Sequence, residues 1–371
     1  TYETSSVEPC GRPEALHSLK HAMRLVPPCR SQSPRPIPPR PSPWTASMDN
    51  EVSDKGGSDG GGGGGGGGVM EVNRATVNSL VLKLSSVSEQ TRTEALCRLR
   101  LLSRDHPESR ALILNAGAPV YLSEILFASS PILQENAAAT LLNLSISDRK
   151  SLMSTAGLLD ALSHAIRHRA SAPAAVQSSA ATLHSLLVVE ENRPVIGSKR
   201  DIVFGLIGIV KCPDSATRSI KDALKALFGI SLCPSNRPTL IGLGAAAALF
   251  SLVVRDGRTG PMEDATAVIA QVAGCDEAED AFRRVSGIAV LTDLLDPATG
   301  ASARTRENSV SALLNLVRCR EETISAELKS LGSSVFDGIS GVAKNGSPKG
   351  KNKAASLLNI LDSMSNGLAL V

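Results

Sequence analysis

Gln134-Glu-Asn-Ala-Ala-Ala-Thr-Leu-Leu-Asn-Leu-Ser145 is the stretch whose reading decides the fold. It contains neither Gly nor Pro, it is rich in Ala and Leu, and its apolar residues recur at three- and four-residue steps, so it reads as a helix. The same words return along the chain. Leu141-Leu-Asn-Leu144 recurs as Leu313-Leu-Asn-Leu316 and as Leu357-Leu-Asn-Ile360, with weaker copies at 99–102, 183–186, 227–230 and 269–272. The last apolar residues of the copies are Leu102, Leu144, Leu186, Ile230, Val272, Leu316 and Ile360, separated by steps of 42, 42, 44, 42, 44 and 44 residues. A period of that length, held over the whole ordered region, means stacked helical units, each of which buries its apolar face only against its neighbours.

Each unit has the same grammar. A polar loop opens a short first helix, as in Asp148-Arg-Lys150, Glu191-Asn-Arg-Pro194 and Ser235-Asn-Arg-Pro238. There Asp and Asn suit the N-cap and Pro the first turn. A Gly follows (Gly117, Gly157, Gly197, Gly244, Gly287, Gly332), read as the left-handed residue after a helix. A second helix then carries stripes such as Leu122/Ile125/Leu126, Leu159/Leu162/Ile166, Val203/Leu206/Ile207/Val210 and Val290/Leu291/Leu294. The third and longest helix is the opening stretch.

This grammar resembles the armadillo repeat. The resemblance implies an all-α, right-handed superhelical solenoid of about seven three-helix repeats over residues 76–371, behind a disordered N-terminal region, residues 1–75. Within that family, Gln134–Asp148 and Arg306-Glu-Asn-Ser-Val-Ser-Ala-Leu-Leu-Asn-Leu316 look most like the C-terminal repeats of plant U-box ubiquitin ligases. The elements of the U-box itself (Cys-Pro-Ile, Asp-Pro-Val, Thr-Tyr-Glu-Arg) are not found in the sequence.

Upstream, the run Ser33–Pro43 can only be extended or polyproline-like, and residues 56–68 are almost all Gly, a flexible tether. Met48, or Met70, offers an alternative start, which would leave residues 1–47 outside the working protein. The seven Cys (10, 29, 97, 212, 233, 275, 319) form no Cys-x-x-Cys pair and read as reduced thiols of an intracellular protein, cytoplasmic and/or nuclear.

Composition excludes several functions. A net charge of +3 gives no general attraction to nucleic acid or anionic membrane. Aromatic content of 2%, with Trp44 outside the repeats, removes base-stacking platforms. No apolar run reaches the ~20 residues of a membrane span. The six His build no triad or metal site; His164 and His168, one helical turn apart, read as a solvated face. No catalytic residue, metal ligand or cofactor site is expected.

Binding has candidates. The position of Asn136 reads down the array as Glu94, Asn136, Ser178, Asp222, Asp264, Asn308 and Asn352; that of Asn143 as Leu101, Asn143, Ser185, Gly229, Gln271, Asn315 and Asn359. Asn136 and Asn143 share a helix face distinct from that of Leu141 and Leu144. Third helices line the concave face in this family. The two columns are therefore expected to form a polar ladder that hydrogen-bonds an extended segment or helix of a protein partner, with the chain itself a monomer. The family's nuclear-import adaptors place a Trp four residues before the second Asn. Here the matching residues are Cys97, Ala139, Ala181, Lys225, Ala267, Ser311 and Ala355, so basic localisation signals are not the expected ligand, although Lys225 lies in the groove. The resemblance implies a non-catalytic interaction module in ubiquitin-linked signalling. The alternative is the substrate-recognition part of a ubiquitin ligase whose U-box is missing from the sequence.

Overall fold

The computed structural model describes residues 73–367, and the expectations for the preceding Pro- and Gly-rich segments lie outside the described residues. Twenty α-helices and no strand occur among them. A two-helix unit comes first: α1 (Arg74–Leu82) and α2 (Glu89–Asp105). Six three-helix units follow. They are α3–α5 (Ser109–Asn115, Ala118–Ile125, Pro131–Ser147), α6–α8 (Arg149–Met153, Leu158–Arg167, Pro173–Leu187) and α9–α11 (Asn192–Ser198, Arg200–Lys211, Thr217–Ser231). Then come α12–α14 (Arg237–Gly242, Ala245–Arg255, Thr259–Val272), α15–α17 (Ala278–Arg283, Gly287–Asp293, Ala303–Cys319) and α18–α20 (Glu321–Ser330, Ser333–Asn345, Pro348–Gly367).

Two rows of helices run the length of the array. The third helices α2, α5, α8, α11, α14, α17 and α20 each pack on the next, and the second helices from α4 to α19 do the same behind them. The apolar period explains the stacking. Leu144, Leu186, Ile230, Val272 and Leu316 are buried between units, whereas Leu102 and Ile360, in the first and last third helices, are half-buried. Both have a neighbouring third helix on one side only among the described residues.

The ends of the third helices are closed by side chains from elsewhere. The last carbonyls of a helix have no intrahelical partner. For Ser103 the fourth residue onward is Pro107, which has no N–H, and Arg110 Nε donates to the Ser103 carbonyl instead (2.6 Å). Arg193 Nε donates to Leu187 O (3.3 Å) and Arg237 Nε to Ser231 O (3.0 Å) in the same manner. This corrects the expectation for the polar loops. Asp148 does cap α6, accepting from Ser151 N (2.9 Å). Asn192 and Asn236 are buried, and their amides donate backward, to Leu186 O and Ile230 O respectively, closing the preceding third helix rather than opening the next first helix.

The glycines also divide. Gly117, Gly157, Gly244 and Gly332 have positive φ, as a chain reversal between helices requires. Gly197 and Gly287 do not. A Cβ on Gly197 would overlap the Asn236 amide, and one on Gly287 would lie 2.6 Å from the Phe250 ring. Ser286, φ 51°, takes the left-handed position there. These two glycines therefore serve close packing between units.

Candidate protein-binding groove

A third helix turns ~100° per residue, so positions at steps of three and four stay on one side. On α5 the half-buried or exposed residues include Ile132, Glu135, Ala139, Leu142, Asn143 and Ile146, while Leu133, Ala137, Leu141 and Leu144 are buried. The corresponding stripe on α8 includes Ala174, Gln177, Ala181, His184, Ser185 and Val188; on α11 it includes Arg218, Lys221, Lys225 and Phe228. Side by side, the stripes of seven third helices form one continuous accessible face.

The two Asn columns lie at the edge of this stripe, turned toward the preceding unit. Asn136 is 6% exposed; it accepts from Arg100 Nη1 (3.0 Å) and donates to Ile132 O (2.8 Å). Geometrically it sits roughly 60° off the stripe centre. Asn143 donates to Ser103 Oγ (3.0 Å), Ser185 Oγ to Ser145 O (3.1 Å), and Asn315 Nδ2 to Ala270 O (2.8 Å). Asn308 Nδ2 reaches Glu263 O and Thr266 Oγ1, both at 3.1 Å. Gln271 accepts from Arg237 Nη2 (3.3 Å), and Asp222 accepts from Gln177 Nε2 (2.9 Å). Ser178 is buried, Asp264 half-buried, and Lys225, Asn352 and Asn359 are exposed.

The ladder is thus largely engaged in joining adjacent third helices. Its amide donors are taken, but among the described residues no hydrogen bond uses Oδ1 of Asn143, Asn308 or Asn315. Those half-buried carbonyls remain as acceptors along the edge of the face. Each Asn has one acceptor and two donors, so it can hold the stack and still receive an N–H from a ligand.

The apolar part of the face escaped the sequence reading. Ile132, Ile146 and Val188 are 56%, 53% and 56% exposed. The signal was available: Ile132 and Ile146 are fourteen residues apart in the numbering, hence on one side, and that side is neither that of Leu141 nor that of Leu144.

Burial tunes the titratable groups. It pushes His184 below its ordinary value, helped by the charge of Lys225, and it pushes the Asp264 carboxyl up against the opposing pull of Lys221, Lys225 and Arg304. Burial also raises the Cys97, Cys275 and Cys319 thiols, Cys275 to about 11, which leaves them un-ionised and inert near neutrality. His164 and His168 stack with ring centroids 4.8 Å apart, next to Phe127, and no three potential metal ligands cluster among the described residues.

A row of stacked third helices backed by a row of second helices defines an armadillo-type solenoid. The backbone agrees with the crystal structure of an engineered protein at a TM-score of 0.66 and 19% identity, over 77% of this chain and 68% of that one. A family model for the plant U-box protein ARM repeat region matches residues 76–367, and the chain belongs to that family. Among curated relatives, U-box domain-containing protein 19 of Arabidopsis thaliana is 25% identical over 303 residues, 78% of this chain and 43% of the relative. U-box domain-containing protein 17 of the same plant is 28% identical over 323 residues, 86% and 43%. The chain therefore spans less than half the length of these relatives. No single helix among the described residues is long and apolar enough to cross a membrane.

Proposed function

We propose that the repeats hold an extended segment of a protein partner along the third-helix face, without catalysing a reaction, in ubiquitin-linked signalling. The observation that carries this reading is the exposure of Ile132, Ile146 and Val188 on a face whose flanking residues are packed. Exposed apolar side chains aligned across consecutive units have no structural work to do there and gain by being covered. The Oδ1 acceptors of Asn143, Asn308 and Asn315 alongside suit the N–H groups of an extended chain. The ubiquitin link rests on the names of the relatives. The monomeric state belongs to the same proposal, as does a cytoplasmic and/or nuclear location, which the five free cysteines of the described region favour.

The test is partner capture from plant extract by residues 1–371, followed by mass spectrometry, beside a variant carrying Ile132→Arg, Ile146→Arg and Val188→Arg. These exposed substitutions leave the fold intact, and the captured set should be lost. An unchanged set would place binding on another surface.

A second reading is favoured by the length of the relatives: the repeats as the substrate-recognition part of a U-box ligase. Mixed with activating enzyme, conjugating enzymes, ubiquitin and ATP, residues 1–371 are expected to build no ubiquitin chains. A U-box found upstream in the same transcript would establish the ligase reading.

A further inference from the structure

The third-helix face changes character along its length, and charge tells what should lie on it. Over α5 and α8 it bears exposed apolar side chains toward the helix ends, Ile132 and Ile146 on α5 and Val188 just past α8, with Ala139 and Ala181 partly open between them. From α11 onward it is cationic. Arg218, Lys221 and Lys225 follow one another at single-turn spacing on the exposed stripe of α11, and no ion pair within 4 Å involves any of them among the described residues. Lys221 leans over the start of α14, its Nζ 3.4 Å from where a Cβ on Gly260 would stand. From the other side Arg304 of α17, 66% exposed, reaches Glu263 only at 3.9 Å.

The carboxylates of the same region are turned to internal work. Asp222 accepts from Gln177, and Glu263 from Ser302 Oγ (2.7 Å). Glu307 receives both the backbone N–H (2.6 Å) and the hydroxyl (2.7 Å) of Ser347. Asp264 is half-buried among Lys221, Lys225 and Arg304. Asp222, Glu263 and Glu307 bond across neighbouring units while Arg218, Lys221 and Lys225 make no ion pair among the described residues, so the field presented outward is positive.

We propose that this face receives an extended protein segment whose apolar residues cover α5 and α8 and whose Asp and Glu side chains meet Arg218, Lys221, Lys225 and Arg304 across α11 to α17. The proposal rests on the third-helix face being the binding surface and adds the chemistry of its ligand. Third helices stack at ~8–10 Å, and an extended chain advances ~3.3 Å per residue. A segment crossing from α5 to α17 therefore needs about eleven residues. Exposed ion pairs are individually weak, but several acting together on one strand give discrimination between acidic and basic ligands.

The test uses residues 1–371 and fluorescein-labelled peptides of about twelve residues, read by fluorescence anisotropy at about 50 mM salt, where surface charges are little screened. One peptide carries Val and Leu followed by Glu and Asp; a second has Lys, and a third phosphoserine, in the acidic positions. The acidic peptide should bind at least about tenfold more tightly than the Lys peptide. The variant R218E/K221E/K225E should reverse the order, and the milder R218Q/K221Q/K225Q should abolish the difference; circular dichroism checks that both stay folded. Equal affinity for the two peptides, an order unaffected by charge reversal, binding of the phosphoserine peptide alone, or binding of none would overturn the proposal. Its failure is separable from that of the binding surface. If the Ile132, Ile146 and Val188 variant loses its captured partners while R218E/K221E/K225E keeps them, the surface stands and the acidic ligand does not.

Discussion

Replacing Asn315 by Ala and, separately, Asn359 by Ala should give stability changes of opposite sign, although both residues stand in a Leu-Leu-Asn motif on a third helix. Asn315 is half-buried and donates at 2.8 Å to the carbonyl of Ala270, a residue only 4% exposed and near the end of α14, where helix carbonyls lack intrahelical partners. Its removal leaves that acceptor unsatisfied, at a cost of ~1–3 kcal/mol. Ala is the better helix former by roughly 0.5 kcal/mol, which offsets part of this. The net destabilisation is therefore about 1–2 kcal/mol. Asn359 is exposed and makes no side-chain hydrogen bond among the described residues, so only the propensity gain of roughly 0.5 kcal/mol remains. Guanidinium unfolding followed by far-UV circular dichroism reads the global effect. Amide exchange at Ala273 and Gly274 reads the local one, which matters because a repeat array need not unfold in a single step. If Asn315→Ala were neutral, or both variants were equally destabilised, the assignment of the Asn column to unit–unit bonding would be wrong.

Other consequences are as direct. Leu144, fully buried between units, should lose ~2–5 kcal/mol as Leu144→Ala and more as Leu144→Asp, measured by the same unfolding assay. Gly287→Ala should cost ~1–3 kcal/mol by forcing the Phe250 ring, which stacks edge-on against Phe282, to move. Gly208→Ala, in open space within α10, should instead stabilise by ~0.5–1 kcal/mol. Burial lowers the folded-state affinity of His164 and His184 for a proton, with nearby cations adding to it. The unfolded chain therefore binds more protons, so their contribution is fully present above the ordinary imidazole value of 6.5 and declines as pH falls through and below it. The unfolding midpoint should drop between about pH 7.5 and 5.5, and His164→Gln with His184→Gln should flatten that drop.

The repeat was legible because it is a one-dimensional property. An apolar residue returning every 42 or 44 positions, within a helix-forming run, fixes the number, order and stacking of the units, and Leu144, Leu186, Ile230, Val272 and Leu316 are buried accordingly. Which side of a third helix remains open was less legible, because it depends on two neighbours at once. Asn136 and Asn143 are polar on a face apart from Leu141 and Leu144, yet the adjacent helix reaches over that edge, Arg100 donating to Asn136 Oδ1 and Ser103 accepting from Asn143, while Ile132 O of the same helix accepts the Asn136 amide. Ile132 and Ile146, apolar and thus expected inside, are left outside because no helix stands opposite them.

The same division holds for the loops. Local chemistry correctly placed the Asp148 cap, since it involves residues three positions apart. Asn192, Asn236, Gly197 and Gly287 were assigned to local roles, whereas the structure gives them partners chosen by packing between units. Periodicity along the chain determined that this protein is a solenoid. The distance between successive units decided which of its polar side chains are spent on stacking and which cations, from Arg218 to Arg304, are left facing outward, because only there do desolvation and pairing across units come into play.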